Sequence, residues 1–306
     1  NENTAIGARA LNVFTGSDAT AVGANALDAC TTGAQNVAVG SAALGAVIDG
    51  HYNTAVGTSA LAADCGSSNV AVGRNALVSF TGDEATAIGT SAADAATSAA
   101  NLTAVGRNAA GSVTDSDDHT AVGDNALASC TTGAQNTAVG SNAAFALTGS
   151  SNVMLGMNSG YYATTTDDCI AIGRNAFLGA SGNTTGNQNV AIGSYCLDAA
   201  TTATETTAVG SYAGSAISSG NANVLIGKNS GDAITTSHNN TAVGSYSLST
   251  TIDGANNSAF GYAALGNGDC GDDNTAIGQG ALAVATGNAN TAVGSAAADA
   301  VTTGTG

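Results

Sequence analysis

The chain has no proline, no tryptophan, only five Lys plus Arg, and aromatic side chains at just 4% of its 306 positions. Each scarcity excludes something. With so few cations and a net charge of −17, neither nucleic acid nor an anionic membrane surface is an expected partner. No stretch approaches the roughly eighteen apolar residues of a spanning helix, so membrane insertion is not expected either. The opening NENTAIGARAL lacks the basic region and apolar core of a secretion signal, so a signal was removed or none was needed. Six cysteines form no CxxC pair and no zinc-ligand spacing. Bulky apolar side chains are too few for a thick globular core.

What the chain does have is glycine, 42 of them, and much alanine and valine within a hydrophobic fraction of 43%. It also repeats itself. CTTGAQNVAVG at 30–40 returns as CTTGAQNTAVG at 130–140, changed only from Val37 to Thr137. A glycine closing each TAVG-like tetrad recurs at positions 7, 23, 40, 57, 73, 89, 106, 123, 140, 156, 173, 193, 210, 227, 244, 261, 278 and 294. These eighteen markers stand 16 or 17 residues apart, except for one gap of 20 between Gly173 and Gly193. Residues 1–306 thus read as a single repeat array, with 299–306 as a short irregular tail.

The columns of the repeat are strict. The residue before the marker is Val, Ile, Leu or Phe throughout, and the one before that is Ala except at Met154 and Leu225. Four places before the marker stands Asn in twelve of eighteen repeats. The tetrad is too short and too β-branched for a helix and reads as a strand. Its alternation places Thr or Val with Val or Ile on one face, and Ala with Gly on the other. The following xNAL segment reads as a second short strand or a bend, and the rest is turn chemistry.

A repeat of about 17 residues is too short to hold a helix and suits one coil of a parallel β-solenoid, or β-roll. The expected fold is all-β, with about 18 coils of 16–17 residues, some 85 Å long at ~4.8 Å per coil. Stacking predicts an apolar ladder through Val22, Val39 and Val56 and an amide ladder through Asn36, Asn53 and Asn69. The absence of proline fits, because proline would remove ladder donors. The marker glycine implies a left-handed backbone conformation or a close approach by a neighbouring chain.

The segments NTAVGSNAA (136–144), NVAIGSYCL (189–197) and NTAIGQGAL (274–282) resemble the head repeats of YadA-type trimeric autotransporter adhesins and the related repeats of phage and viral tail fibres. The resemblance implies a left-handed β-roll, three chains around a common axis, and a surface that meets host glycans or proteins. It also implies an extracellular, cell-surface or virion location. The coil here is longer than the adhesin head repeat and carries cysteines, which favours a viral fibre or a self-assembling surface filament. No polar cap shows at either end. A fragment, a continuation into further domains, or head-to-tail stacking of copies is expected there.

Candidate sites are sparse. Acidic turns, Asp115, Asp117 and Asp118 and again Asp269, Asp272 and Asp273, offer oxygen ligands for calcium, the one cofactor considered. Their alternative role is solubility. Arg74, Arg107, Arg174 and Lys228 each follow a marker glycine, with Arg9 one place later, so one rim holds every strong cation. Pairing with acidic turns on an adjacent coil or chain is expected there, ahead of ligand binding. Tyr195, Tyr212 and Tyr246 share a column and form a candidate glycan contact, or else fill a groove. Cys30 and Cys130 lie six coils apart, beyond disulfide reach. His51, His119 and His238 belong to no catalytic motif, and no enzyme is expected. The function expected is a structural or adhesive fibre acting as a homotrimer. The alternatives are a head-to-tail filament and ice or surface binding through the threonine column.

Overall fold

The computed structural model describes residues 2–180 and 184–301. The chain is all-β and forms a parallel β-solenoid; no helix occurs among the described residues. Residues 181–183, inside the long 20-residue repeat, and 302–306 of the predicted tail lie outside them.

Two compact units are present, Asn1–Thr148 and Gly149–Gly306. The first carries strands β1 (Thr4–Ile6), β2 (Thr20–Val22), β3 (Val37–Val39), β4 (Thr54–Val56) and β5 (Val70–Val72). It continues with β6 (Thr86–Ile88), β7 (Thr103–Val105), β8 (Thr120–Val122) and β9 (Thr137–Val139). The second carries β10 (Val153–Leu155), β11 (Ile170–Ile172), β12 (Val190–Ile192), β13 (Thr207–Val209) and β14 (Val224–Ile226). Its last four are β15 (Thr241–Val243), β16 (Ser258–Phe260), β17 (Thr275–Ile277) and β18 (Thr291–Val293). Within each unit every strand pairs in parallel with the next, tetrad against tetrad, as in Val22↔Val39 and Val39↔Val56.

The junction of β4 and β5 shows how consecutive coils are joined. Thr54 N–H donates to the Asn69 carbonyl at 2.8 Å, and Gly73 N–H to the Val56 carbonyl at 2.7 Å. Beyond the strands, Asn75 donates to Thr58 at 3.0 Å, Leu61 to Ala76 at 3.0 Å, and Ser68 to His51 at 2.9 Å. The xNAL segment is therefore a bend, not a second strand, yet it is laddered as fully as the strand.

The bend is built from left-handed residues. In the Gly73 coil these are Asn75 (φ 61°) and Leu77 (φ 51°), and a third, Ser68 (φ 64°), precedes the strand. Asn is common at the first of these positions because its short amide tolerates that region. Left-handed corners turn the chain back on itself in few enough residues for a 17-residue coil.

The alternation of the tetrad is resolved with alanine inside. Ala21, Ala38, Ala55 and Ala71 are fully buried, while the flanking Thr, Val and Ile point outward. The bend contributes buried Ala26 and Leu27, and the next segment contributes Cys30, Val47, Phe80 or Leu147. Volume is balanced across the interior. Where the strand alanine becomes Met154, the bend leucine becomes Gly160, and a Cβ there would stand 2.6 Å from the Met154 sulfur. Leu225 is likewise accommodated by Gly214 and Gly231, whose added Cβ atoms would lie 2.8 and 2.7 Å from its methyls. The core is one side chain thick and close-packed, so a large residue in one column requires a small one in another.

Candidate functional site

The strand face presents two regular outward columns in each unit. Neither outward column carries a charge: one is Thr, Val, Ile or Ser, the other Val, Ile, Leu or Phe. Val39 and Val56 are each 37% exposed, so the valine ladder lies outside the interior, on this face. Parallel register sets equal side chains about 4.8 Å apart along each column.

The asparagine column faces inward and is fully buried at Asn36, Asn53 and Asn69. Asn36 Oδ1 accepts the Asn53 N–H at 2.8 Å while its Nδ2 donates to the Gly50 carbonyl at 2.7 Å. Asn53 repeats this with the Asn69 N–H at 2.9 Å and the Gly66 carbonyl at 2.8 Å. The rungs therefore run from side chain to backbone rather than amide to amide. Direct amide contacts join Asn257 to Asn240 at 3.2 Å and Asn274 to Asn257 at 3.1 Å.

A second column escaped the sequence reading. In many coils the residue six places before the marker accepts, through its side chain, the N–H of its counterpart one coil earlier. Asp117 does this for Ala100 at 2.7 Å, Asp167 for Ser150 at 2.7 Å, Asp272 for Ala255 at 2.9 Å, and His51 for Ala34 at 2.9 Å. The signal was present in the sequence as a column rich in the short acceptors Asp, Asn, His and Ser, interrupted by Ala34, Ala100, Ala134, Ala255 and Thr204.

These bonds account for most of the calcium candidates. Asp118 accepts from the Asn101 amide at 2.8 Å, Asp273 from Asn256 at 3.2 Å, and Asp269 from the Ile252 N–H at 2.9 Å. Asp115 accepts from its neighbour Thr114 at 3.0 Å. Asp269 and Asp272 share a polar cavity of about 300 Å³ with Asp253. Among the described residues, no group of three or more His, Cys, Asp or Glu converges to hold a metal ion.

Within the chain, one member of the cation rim is paired with a carboxylate on the adjacent coil. Among the described residues one ion pair forms, Arg107 to Asp124 at 2.8 Å, with both side chains largely exposed. In the second unit the cations meet aromatic rings. Arg174 lies 4.7 Å above the Tyr195 ring and also donates to its hydroxyl at 3.0 Å. Tyr195 stacks on Tyr212 with centroids 5.1 Å apart and planes 7° from parallel. Lys228 sits 5.9 Å from the Tyr246 ring, whose other neighbour is Tyr262, edge to face at 6.0 Å. Of the candidate glycan contacts, both faces of Tyr195 are thus covered within the chain.

All six cysteines are free and buried. Burial pushes the thiols of Cys65 and Cys196 up to about 12 and those of Cys130, Cys169 and Cys270 up to about 11, and raises Cys30 as well. Cys169 occupies the asparagine column, where its sulfur accepts the Asn189 N–H at 3.4 Å. In the folded chain at about pH 8, no thiol is expected to react with a disulfide reagent, while all six react in denaturant. A fast-reacting native thiol would show that a coil opens.

His119 also stands in for asparagine. It is buried; the Asn136 N–H donates to its Nδ1 at 3.4 Å, and its Nε2 lies 3.1 Å from the Ser116 hydroxyl. Burial lowers its pKa, opposed by hydrogen bonds to the Gly133 and Asn136 backbone and by nearby Asp117 and Asp118. A depressed folded pKa means that stability is complete above about 6.5, the unfolded value, and declines as pH falls below it. Melting temperatures are expected to drop between about pH 7.5 and 5, and His119→Asn to flatten that slope. An unchanged slope in the variant would assign the acid sensitivity elsewhere.

The geometry defines a β-solenoid built of interlocking side-chain ladders, with two distinct outer surfaces. No family model matches the chain, and no curated protein is significantly similar to it in sequence. No described helix is long and apolar enough to cross a membrane.

Proposed function

We propose that the chain is a structural and adhesive fibre module, a shaft or receptor-binding segment of a viral or bacterial surface fibre, whose copies pack through the strand face. The observation that carries this reading is an outward, charge-free face of mostly β-branched side chains on a chain of net charge −17. Copies of so acidic a chain repel one another through their turns, and the strand face is where they meet without that cost. Exposed aliphatic rows of this kind mark interaction surfaces. The repeat resemblance supports a trimer as the assembled form.

Light scattering with negative-stain imaging tests it. A discrete trimer is expected, and Val56→Glu with Ile88→Glu is expected to give monomers with an unchanged far-UV spectrum, since both side chains point outward. Monomers of the unaltered chain at about 100 μM would sink the reading, because a specific assembly is populated at that concentration. Filaments that lengthen with concentration would favour head-to-tail stacking instead.

A second reading draws on the same face. Thr fills one outward column in eleven of eighteen coils, in register with the Val and Ile column, giving a regular lattice of methyls and hydroxyls suited to ice. That function needs the face open. Thermal hysteresis from a monomer would support it, and a closed trimer without hysteresis would remove it.

A further inference from the structure

The five strong cations of the chain are not spread evenly in their surroundings. Arg174 and Lys228 belong to a rim in the second unit where six consecutive coils present Arg174, Tyr195, Tyr212, Lys228, Tyr246 and Tyr262. At one coil per ~4.8 Å the rim is about 24 Å long. Only Asp124, in the other unit, puts a carboxylate at either of the two positions after a marker glycine, so these six coils differ from the rest in their rings rather than in lacking acid there. On a chain with 22 Asp plus Glu, that stretch is the one where cations stand over tyrosine rings, Arg174 over Tyr195 and Lys228 over the exposed Tyr246.

The rim also contains a gap. Tyr195 and Tyr212 occupy the first left-handed position of their coils, as does Tyr246. The coil between Tyr212 and Tyr246 has Asn229 there, and its amide is turned away to Asp232 at 2.6 Å. Tyr195 covers one face of Tyr212; among the described residues no ring or cation covers the other, and Tyr212 is 42% exposed. A tyrosine in place of Asn229 would continue the stack. Without one, the next coil along the rim from Tyr212 is the one that carries the exposed Lys228, whose ammonium sits 5.9 Å from the Tyr246 ring beyond it.

We infer that this rim binds an acidic polysaccharide, one pyranose ring lying against the free face of Tyr212 with its carboxylate or sulfate at Lys228. The C–H face of a sugar ring packs on an aromatic face, and the ammonium supplies charge complementarity next to it. A linear polymer of similar rings runs along the rim, so weak contacts at Tyr246 and Tyr262 add by proximity. The rim is made of the two residues after each marker glycine and not of the strand columns, so the inference is tested apart from strand-face assembly.

The test uses the full chain and three polymers in a binding assay: alginate, with rings and carboxylates; dextran, with neutral rings; and polyglutamate, with carboxylates alone. Alginate is expected to bind at least about tenfold tighter than either control, and more weakly as salt is raised. Tyr212→Asn, which installs the residue commonest at that position, and Lys228→Gln are each expected to weaken alginate binding about tenfold. Tyr212→Phe, which keeps the ring, and Arg107→Gln, a cation in the other unit, are expected to bind as the parent does. Circular dichroism of each variant checks that the coils remain. No alginate binding overturns the proposal, as does polyglutamate binding equally well or binding that survives both Tyr212→Asn and Lys228→Gln.

Discussion

Gly57→Ala is expected to be among the most damaging single-methyl additions in the chain. Gly57 has φ +135°, a region that L-residues rarely adopt, and a Cβ there would lie 2.6 Å from the carbonyl carbon and oxygen of Gly73 and 3.1 Å from the Arg74 nitrogen. Those atoms are backbone, locked in the ladder by the Gly73 N–H bond to Val56 at 2.7 Å, so they have nowhere to move. Backbone strain alone costs about 1–3 kcal/mol, and the clash adds to it, for a total of about 3–5 kcal/mol. In an array whose coils contact only their neighbours, the loss centres on the mutated junction. Hydrogen exchange is expected to show lost protection in the two coils at 54–77 first, before global unfolding.

Gly280→Ala is the informative contrast. Gly280 has φ +62°, and nothing lies within 4 Å of its added Cβ. Ala42, Ala263 and Ala296 already occupy the same position at φ 58°, 52° and 53°. The substitution is expected to cost at most about 1–2 kcal/mol. Equal damage from Gly57→Ala and Gly280→Ala would mean that glycine serves the marker column by flexibility alone, and the steric account would fail.

The strict period made the solenoid legible, because only a short β-coil fits 17 residues with no helical pattern. The strand was legible too, since Thr-Ala-Val alternates and is β-branched. Which face turned inward was not, because Ala and Val are both apolar and periodicity carries no sign. Burial answers it through size: the interior is one side chain thick, and the bend leucine fills it, leaving room for nothing larger than alanine opposite except where Gly160, Gly214 or Gly231 yields space. The acidic turns misled for a related reason. Asp117 and Asp272 look like solvated carboxylates or metal ligands, but each is the acceptor for one backbone N–H on the coil before. Such a bond links residues about 17 apart and leaves no mark on local sequence. It shows only when equivalent positions are compared across all coils. The tyrosine column and its break at Asn229 are legible in the sequence, whereas the stacking of the rings and the cations over them are not.

The asparagine column provides the other large expected effect, and it separates an amide from its isostere. Asn53 serves two buried backbone groups at once, accepting from Asn69 N–H and donating to Gly66 C=O. Asn53→Ala strands both and is expected to cost about 2–4 kcal/mol. The column tolerates such a break in places, since the Ala85 N–H donates to Asn69 Oδ1 at 2.9 Å and Ala85 has no side chain to accept from the next coil. Asn53→Asp is expected to be worse than Asn53→Ala at pH 7, although it is nearly the same shape. Its carboxylate keeps the bond from Asn69 N–H but faces the Gly66 carbonyl with no hydrogen to offer, and the charge is fully buried. Protonation restores the missing donor. The aspartate's folded pKa is therefore raised, and Asn53→Asp is expected to regain stability as pH falls, opposite in sign to His119. Denaturant unfolding of the alanine and aspartate variants at pH 7 and near pH 4.5 reads both claims. If Asn53→Asp were no less stable than Asn53→Ala at pH 7, the donor half of the rung would carry no energy, and the ladder would be held by its accepting oxygens alone.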